Sequence, residues 1–147
     1  MLDAMNEKRI ASLHPPFLAL ARQFLTDCEK AGHRLRVTFG YRTLDEQAKL
    51  YAQGRTAPGA IVTNAKPGQS AHNYAAAIDV VFLTKDSKAN WNGPWKDIGA
   101  IGEKLGLVWG GNFKNFPDRP HFEWAHWRDL RAKASAPAPV SKPRPVS

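Results

Sequence analysis

The sequence predicts an α+β fold in a single domain: a small, mainly antiparallel sheet flanked by helices. Three observations predict it. The chain has 147 residues, enough for one core and too few for two domains with a linker. Apolar residues make up 43% and charged residues 23%, a globular balance. Helical and strand periodicities are mixed without a regular βαβ alternation, which disfavours a parallel sheet.

The elements follow in order. "PPFLALARQFLTDCEKAG" carries Phe17, Leu20, Ala21, Phe24, Leu25 and Cys28 at three- and four-residue intervals, with proline at its start and Gly32 after its end. That is an amphipathic helix. "HRLRVTFGYR" alternates Leu35, Val37 and Phe39 with basic residues, as a half-buried strand does. Thr43 and Glu46 form a capping-box pattern ahead of "LDEQAKLYAQG", a helix that Gly54 stops. Arg55 to Ser70 is small, polar, Gly- and Pro-containing, and reads as a long irregular loop; loops of this length in small domains are usually functional.

"AIDVVFL" is apolar and β-branched, the signature of a central strand. A turn-rich loop, "TKDSKANWNGPW", leads to a short helix, "KDIGAIGEKLG", weakened by two glycines, and then to a short strand, "LVWGG". "HFEWAHW" alternates as a last strand, and "WRDLRAK" closes with a helical turn. From Ala134, "ASAPAPVSKPRPVS" is rich in proline and has no acid, so residues 134–147 are expected to form a basic, disordered tail outside a folded domain of residues 1–133.

Composition narrows function without choosing it. Twenty-one Lys and Arg against thirteen Asp and Glu give a formal net charge of +8, which suits an anionic partner: nucleic acid, a membrane face or the polymers of a cell envelope. A nucleic-acid role rests on charge alone and is not favoured. The lone Cys28 excludes an internal disulfide and a cysteine metal cluster. The N-terminal "MLDAMNEKRIASLHPPF" has no apolar run of signal-peptide length, and no stretch approaches a membrane span. The expectation is a protein kept in the cytosol until something else releases it.

The chemistry concentrates in "SAHNYAAAID". Extended, the α-carbons of His72 and Asp79 would lie roughly 23 Å apart at about 3.3 Å per residue. In one helix they would still be about 10 Å apart along the axis. Neither suits a shared metal ion, so the chain must reverse, with Asn73 and Tyr74 as turn residues before the strand. His121 opens a strand that can pair beside the one carrying Asp79, putting both side chains on one sheet face. Two histidines and a carboxylate leave a fourth tetrahedral position open, the arrangement with which catalytic zinc lowers the pKa of water toward about 7. Asp118 and Glu123 compete as the base. Asp118 can lean over the metal from the turn before His121, and Glu123 shares a strand face with it. His126, five residues on, should face away, and His14 and His33 are expected to be solvated. Of the tryptophans, Trp109 and Trp124 are the candidate groove walls.

Ser70-x-His72, Ala77-x-Asp79 and Asp118-x-x-His121 resemble the S-x-H-x-x-G-x-A-x-D and D-x-x-H signatures of the zinc D-Ala-D-Ala carboxypeptidase (M15, VanY-like) peptidases, in particular the phage endolysins among them that act as L-alanyl-D-glutamate peptidases. "GYRTLDEQAKLYAQGR" is similar to that group's arginine-bearing motif and "LVWGGNFKNFPDRPHFEW" to its ending; the likeness covers about Phe17 to Trp127. The chain departs from the pattern at Ala75, where the family has glycine, and at Asn112-Phe113, where relatives often carry an acid and a tryptophan. A positive φ at Ala75 would cost on the order of 1 kcal/mol.

The resemblance implies a Hedgehog/DD-peptidase-like fold, Zn2+ held by His72, Asp79 and His121, Asp118 as general base and acid, and Arg42 facing the substrate. A guanidinium there can bind a stem-peptide carboxylate bidentately or steady an oxyanion. Gln47 is assigned to brace Arg42, Ser70 to hold the metal loop, and Glu123 and Trp109 to support. The implied function is a peptidoglycan endopeptidase cutting the L-alanyl-D-glutamate bond, a monomer released to the wall during phage lysis. The alternatives are a D-Ala-D-Ala carboxypeptidase and a non-catalytic wall-binding module.

Overall fold

A computed structural model describes residues 2–135. The helices are α1 (Ala4–Ile10), α2 (Pro15–Lys30), α3 (Leu44–Ala52), α4 (Trp95–Lys104) and α5 (Trp127–Ser135). The strands are β1 (Leu35–Phe39), β2 (Ala77–Leu83), β3 (Ala89–Asn90), β4 (Val108–Trp109) and β5 (His121–Glu123), and 3₁₀ turns cover Ala71–Tyr74 and Gly110–Asn112. The sheet runs β1-β2-β5-β4 with β3 also on β2, and every pair is antiparallel. β2 is central, as its unbroken apolar run requires.

One sheet face makes the core. Val37, Ile78, Val80 and Phe122 are fully buried against Phe17, Ala21, Phe24 and Cys28 of α2 and Ile98 of α4. The rings of Phe24 and Phe122 meet at 4.4 Å. The glycines that weaken α4 in isolation are close-approach positions: a Cβ on Gly102 would fall 2.8 Å from the Phe122 ring, and one on Gly99 2.5 Å from Trp109. Packing overrides propensity there.

α1 is an element the sequence reading did not contain. Asp3 caps it, and its buried Asn6 stands in for a neighbouring strand: Nδ2 donates to the Leu35 carbonyl at 2.8 Å while Oδ1 accepts from the Val37 amide at 2.9 Å. Arg9 adds a 2.6 Å bond to the Val37 carbonyl. The free edge of β1 is thereby covered. Local periodicity could not reveal this, because the stabilising partners lie about 30 residues away.

The last strand is shorter than predicted, and the helix after it longer. β5 stops at Glu123, and α5 runs to Ser135, two residues beyond the predicted domain end. Trp127 causes the change of direction, stacking with Tyr74 at 6.0 Å over a small cluster with Ala71, Ala76 and Ala77. The rest of the expected tail lies outside the described residues. His14 and His33 are partly buried, against Trp124 (5.1 Å) and Phe82 (5.9 Å). No described helix is long and apolar enough to cross a membrane.

Candidate active site

The second face of the sheet carries the chemistry. His72 sits in the 3₁₀ turn, where Ser70 and Asn73 form a reciprocal cap and Ser70 Oγ accepts the His72 amide at 3.2 Å. Ala75 ends the turn in the left-handed region, φ 56° and ψ 35°. The chain therefore reverses beside Asn73 and Tyr74 and feeds straight into β2. Asp79 then lies directly across from His121 in the β2–β5 register, and His72 is brought in from the turn.

The three side chains converge. His72 Nε2 and His121 Nδ1 each lie 3.2 Å from Asp79 Oδ1, and the three ligand atoms fall within 4.8 Å of one another. A tetrahedral ion with bonds of about 2.0–2.1 Å needs ligand spacings of about 3.3 Å, so both contacts fit. The outer nitrogens are committed: His72 Nδ1–H donates to the Gly40 carbonyl at 2.8 Å, and His121 Nε2–H to Glu123 Oε1 at 2.7 Å. Each bond orients its ring and leaves the other nitrogen, His72 Nε2 or His121 Nδ1, facing Asp79. Burial opposes charge on Asp79 and His121, but the His72 and His121 rings beside Asp79, and the Asp79 and Glu123 carboxylates beside His121, outweigh it. Asp79 is held well below the ordinary carboxylate range and His121 is pushed up to about 10. The centre of this site favours positive charge.

Glu123 and Asp118 separate by environment. Both Glu123 oxygens are engaged, the second accepting Trp127 Nε1–H at 2.6 Å, so this residue holds His121 and is not free to act as a base. Asp118 lies in the turn before β5, its carbonyl accepting the His121 amide at 3.1 Å and its amide donating to Gly110 at 2.8 Å. A Cβ on Gly110 would meet that carbonyl at 2.3 Å, which is why glycine stands there. Burial, then repulsion from Asp79, raises the Asp118 pKa against the opposing charges of His121, His72 and Arg42.

Arg42 faces the same cleft. Its amide donates to the His72 carbonyl at 3.0 Å, Nη1 donates to Gln47 Oε1 at 3.0 Å, and its Cζ lies 5.1 Å from the Phe39 ring centre. Gln47 is fully buried and its Nε2 donates to the Ala65 carbonyl at 2.7 Å, joining Arg42 to the irregular loop. Arg42 Nε is buried without a partner. Burial lowers the guanidinium pKa while Asp79, Glu46 and Asp118 oppose it, and a guanidinium stays cationic under such shifts.

These groups lie in an open cleft of about 750 Å³ whose apolar walls include Phe39, Val62, Phe113 and Phe116. The irregular wall is stapled by Arg55, which donates to the carbonyls of Tyr51 (2.7 Å) and Thr63 (3.0 Å) and to Asn64 Oδ1 (3.0 Å). Trp109 is not a groove wall. It is buried, stacks on Phe122 and donates Nε1–H to the Arg119 carbonyl at 2.8 Å, so it supports the Asp118 turn from the core side. Trp124 packs on His14 away from the cleft, with exposed His126 against its other side. Trp127, which sequence reasoning did not single out, does line the cleft. Its only sequence signal is the four-residue spacing from Glu123. Phe113, at the departure from the family pattern, lies 5.7 Å from His121. Cys28 is buried and its thiol is pushed up to about 12 by desolvation, so it is no nucleophile.

Two imidazoles and a carboxylate on an antiparallel sheet, with an ionisable carboxyl beside them in an open cleft, define a hydrolase built on a candidate metal centre. The comparisons agree in class and narrow it. The D-alanyl-D-alanine carboxypeptidase family of M15 peptidases matches residues 63–124. The peptidoglycan L-alanyl-D-glutamate endopeptidase CwlK of Bacillus subtilis is 38% identical over 132 residues, covering 82% of this chain and 79% of that protein. This chain belongs to the M15 peptidase family. Among solved structures, the L-Ala D-Glu endopeptidase ChiX of Serratia marcescens matches with a TM-score of 0.62 at 21% identity, over 89% of this chain and 93% of that one. The vancomycin-resistance D,D-pentapeptidase VanY, solved with Zn(II), matches with a TM-score of 0.56 at 15% identity, over 83% and 79%. These two bear on the fold alone.

Proposed function

We propose that this chain is a zinc-dependent endopeptidase that hydrolyses the L-alanyl-D-glutamate bond of peptidoglycan stem peptides. The convergence of His72, Asp79 and His121 beside Asp118 in one cleft carries the reading, and the similarity to CwlK supports the choice of bond. Zinc bound by His72 Nε2, Asp79 Oδ1 and His121 Nδ1 would supply Lewis acidity and a water that ionises near neutral pH.

The protein's own groups do the rest. Asp118 accepts the proton of the attacking water and returns it to the leaving amine; its raised pKa brings it closer to the working range than an ordinary aspartate. Arg42, which lines the cleft, donates to the oxyanion that develops on the scissile carbonyl. Gln47 holds that guanidinium in place, and Glu123, anchored by Trp127, holds the His121 ring.

Mass spectrometry of digested walls tests the bond. The expected products are glycan strands whose muramic acid residues carry L-alanine alone and peptides with a new N-terminal D-glutamate, lost on chelation and restored by zinc. Release of D-alanine alone would favour the D-Ala-D-Ala carboxypeptidase alternative that the family's description suggests. Full lytic activity in Asp118→Ala would overturn the role given to Asp118, and binding to walls with no cleavage product would favour a non-catalytic wall-binding module. We extend the reading to a setting: a monomeric phage endolysin, held in the host cytoplasm until holin-type release, whose net charge of +8 draws it to anionic envelope polymers. Expression with and without a membrane-permeabilising partner tests this, lysis being expected only with it.

A further inference from the structure

Trp127 touches the segments that carry both histidines. Its indole Nε1–H donates to Glu123 Oε2 at 2.6 Å while Glu123 Oε1 accepts His121 Nε2–H at 2.7 Å, so one buried carboxylate spans the indole and the imidazole. The same indole packs on the 3₁₀ turn that presents His72: its ring stacks on Tyr74 at 6.0 Å and 25°, and it clusters with Ala71, the residue before His72. Tyr74 is fixed in turn, its hydroxyl donating to the Gly68 carbonyl at 2.7 Å. Trp127 opens α5, beyond residues 63–124, the stretch matched by the family.

The consequence follows from burial. A carboxylate out of water needs both oxygens bonded, and each Glu123 oxygen has one of these two donors. Deleting the indole N–H strands Oε2, and the carboxylate is then free to turn away from His121. The β2–β5 register places Asp79 across from His121, whereas His72 comes from outside the sheet, and Trp127 packs on both approaches. Groups that hold metal ligands in this way typically contribute about 10–100-fold to metal affinity.

We propose that Trp127 is a positioning residue of the metal centre: by holding Glu123 with its N–H and the His72 turn with its ring, it sets the spacing of the two histidines and thereby the affinity for zinc. α5 is then part of the site. The inference rests on the zinc reading and adds to it the side chain that ties two of the ligands together.

The test measures the zinc affinity of the full chain by competition with a chromophoric chelator, with no substrate present. Trp127→Phe, which keeps a ring on Tyr74 and loses the N–H, should bind zinc about tenfold more weakly than wild type. Glu123→Gln, with one acceptor for two donors, should weaken binding to a similar extent. The double variant should be no weaker than Glu123→Gln alone, because the N–H acts through that carboxylate. Tyr74→Leu, which keeps the N–H and removes the stack, should also weaken binding. Trp95→Phe removes a bonded indole N–H from another buried tryptophan, one that donates to the Trp91 carbonyl at 2.9 Å, and should bind zinc as wild type does. Far-UV circular dichroism of the metal-free proteins establishes that the variants compared are folded. The inference is overturned if Trp127→Phe or Tyr74→Leu binds zinc as tightly as wild type, if the two losses add in the double variant, or if Trp95→Phe weakens binding as much as Trp127→Phe. Failure of wild type itself to bind zinc overturns the metal reading instead.

Discussion

The two faces of β2 make opposite use of the same seven residues. Ile78, Val80 and Phe82 point into a core closed by α2 and α4, where contacts are apolar and packing alone decides. Asp79 points the other way, into a cleft walled by irregular backbone, where side chains are held by directional bonds and a carboxylate and two imidazoles crowd together. The core face supplies stability without chemistry. The other face gives up some stability for chemistry, because its charges are brought close before any substrate arrives.

Asp118→Asn tests that contrast most severely. Activity should fall on the order of 10²–10⁴-fold, the usual contribution of general acid–base catalysis. The metal-free fold should become more stable at pH 7, not less. Native Asp118 has a raised pKa, so ionising it costs more in the fold than in the unfolded chain. That cost is fully present above the folded pKa and vanishes below the unfolded value. The Tm advantage of the variant should therefore shrink as pH falls through the ordinary aspartate range, which thermal melts across pH will check.

Phe24→Ala is the mirror experiment. It should cost about 3–5 kcal/mol in urea unfolding, as large-to-small changes in a packed core do, while specific activity per folded molecule is kept. Gln47→Leu lies between, since Gln47 is buried but joins Arg42 to Ala65. Losing both bonds leaves polar partners stranded, for about 1–3 kcal/mol of stability, and frees Arg42, so kcat should fall as well. A kcat equal to wild type would separate Gln47 from the site.

The smallest expected effect is at Ala75, where a Cβ occupies a left-handed turn. Ala75→Gly should stabilise the protein by up to about 1 kcal/mol with no change in activity, as denaturant midpoints will report.

Much of this could be read from residue order because it depends on local rules. Helix α2 follows from spaced apolar residues after a proline, α3 from Thr43 and Glu46, and β2 from a branched apolar run. The pairing of Asp79 with His121 was readable because each opens or occupies a strand that must lie in the same small sheet. The misses share a cause. α1 depends on Asn6 and Arg9 reaching β1, the end of β5 depends on Trp127 packing under Tyr74, and Trp109 went to the core because Gly99 leaves room for its ring.

Residue types and spacing, which act locally, thus settled that this chain builds an α+β sheet and carries two histidines and an aspartate suited to one cation. The long-range fold settled their roles. Glu123 differs from Asp118 as an orienting group from a cleft carboxyl because Trp127 and His121 engage the two oxygens of the first, while the second lines the cleft from the turn before β5. Such differences arise from neighbours far away in sequence, and those are chosen by packing.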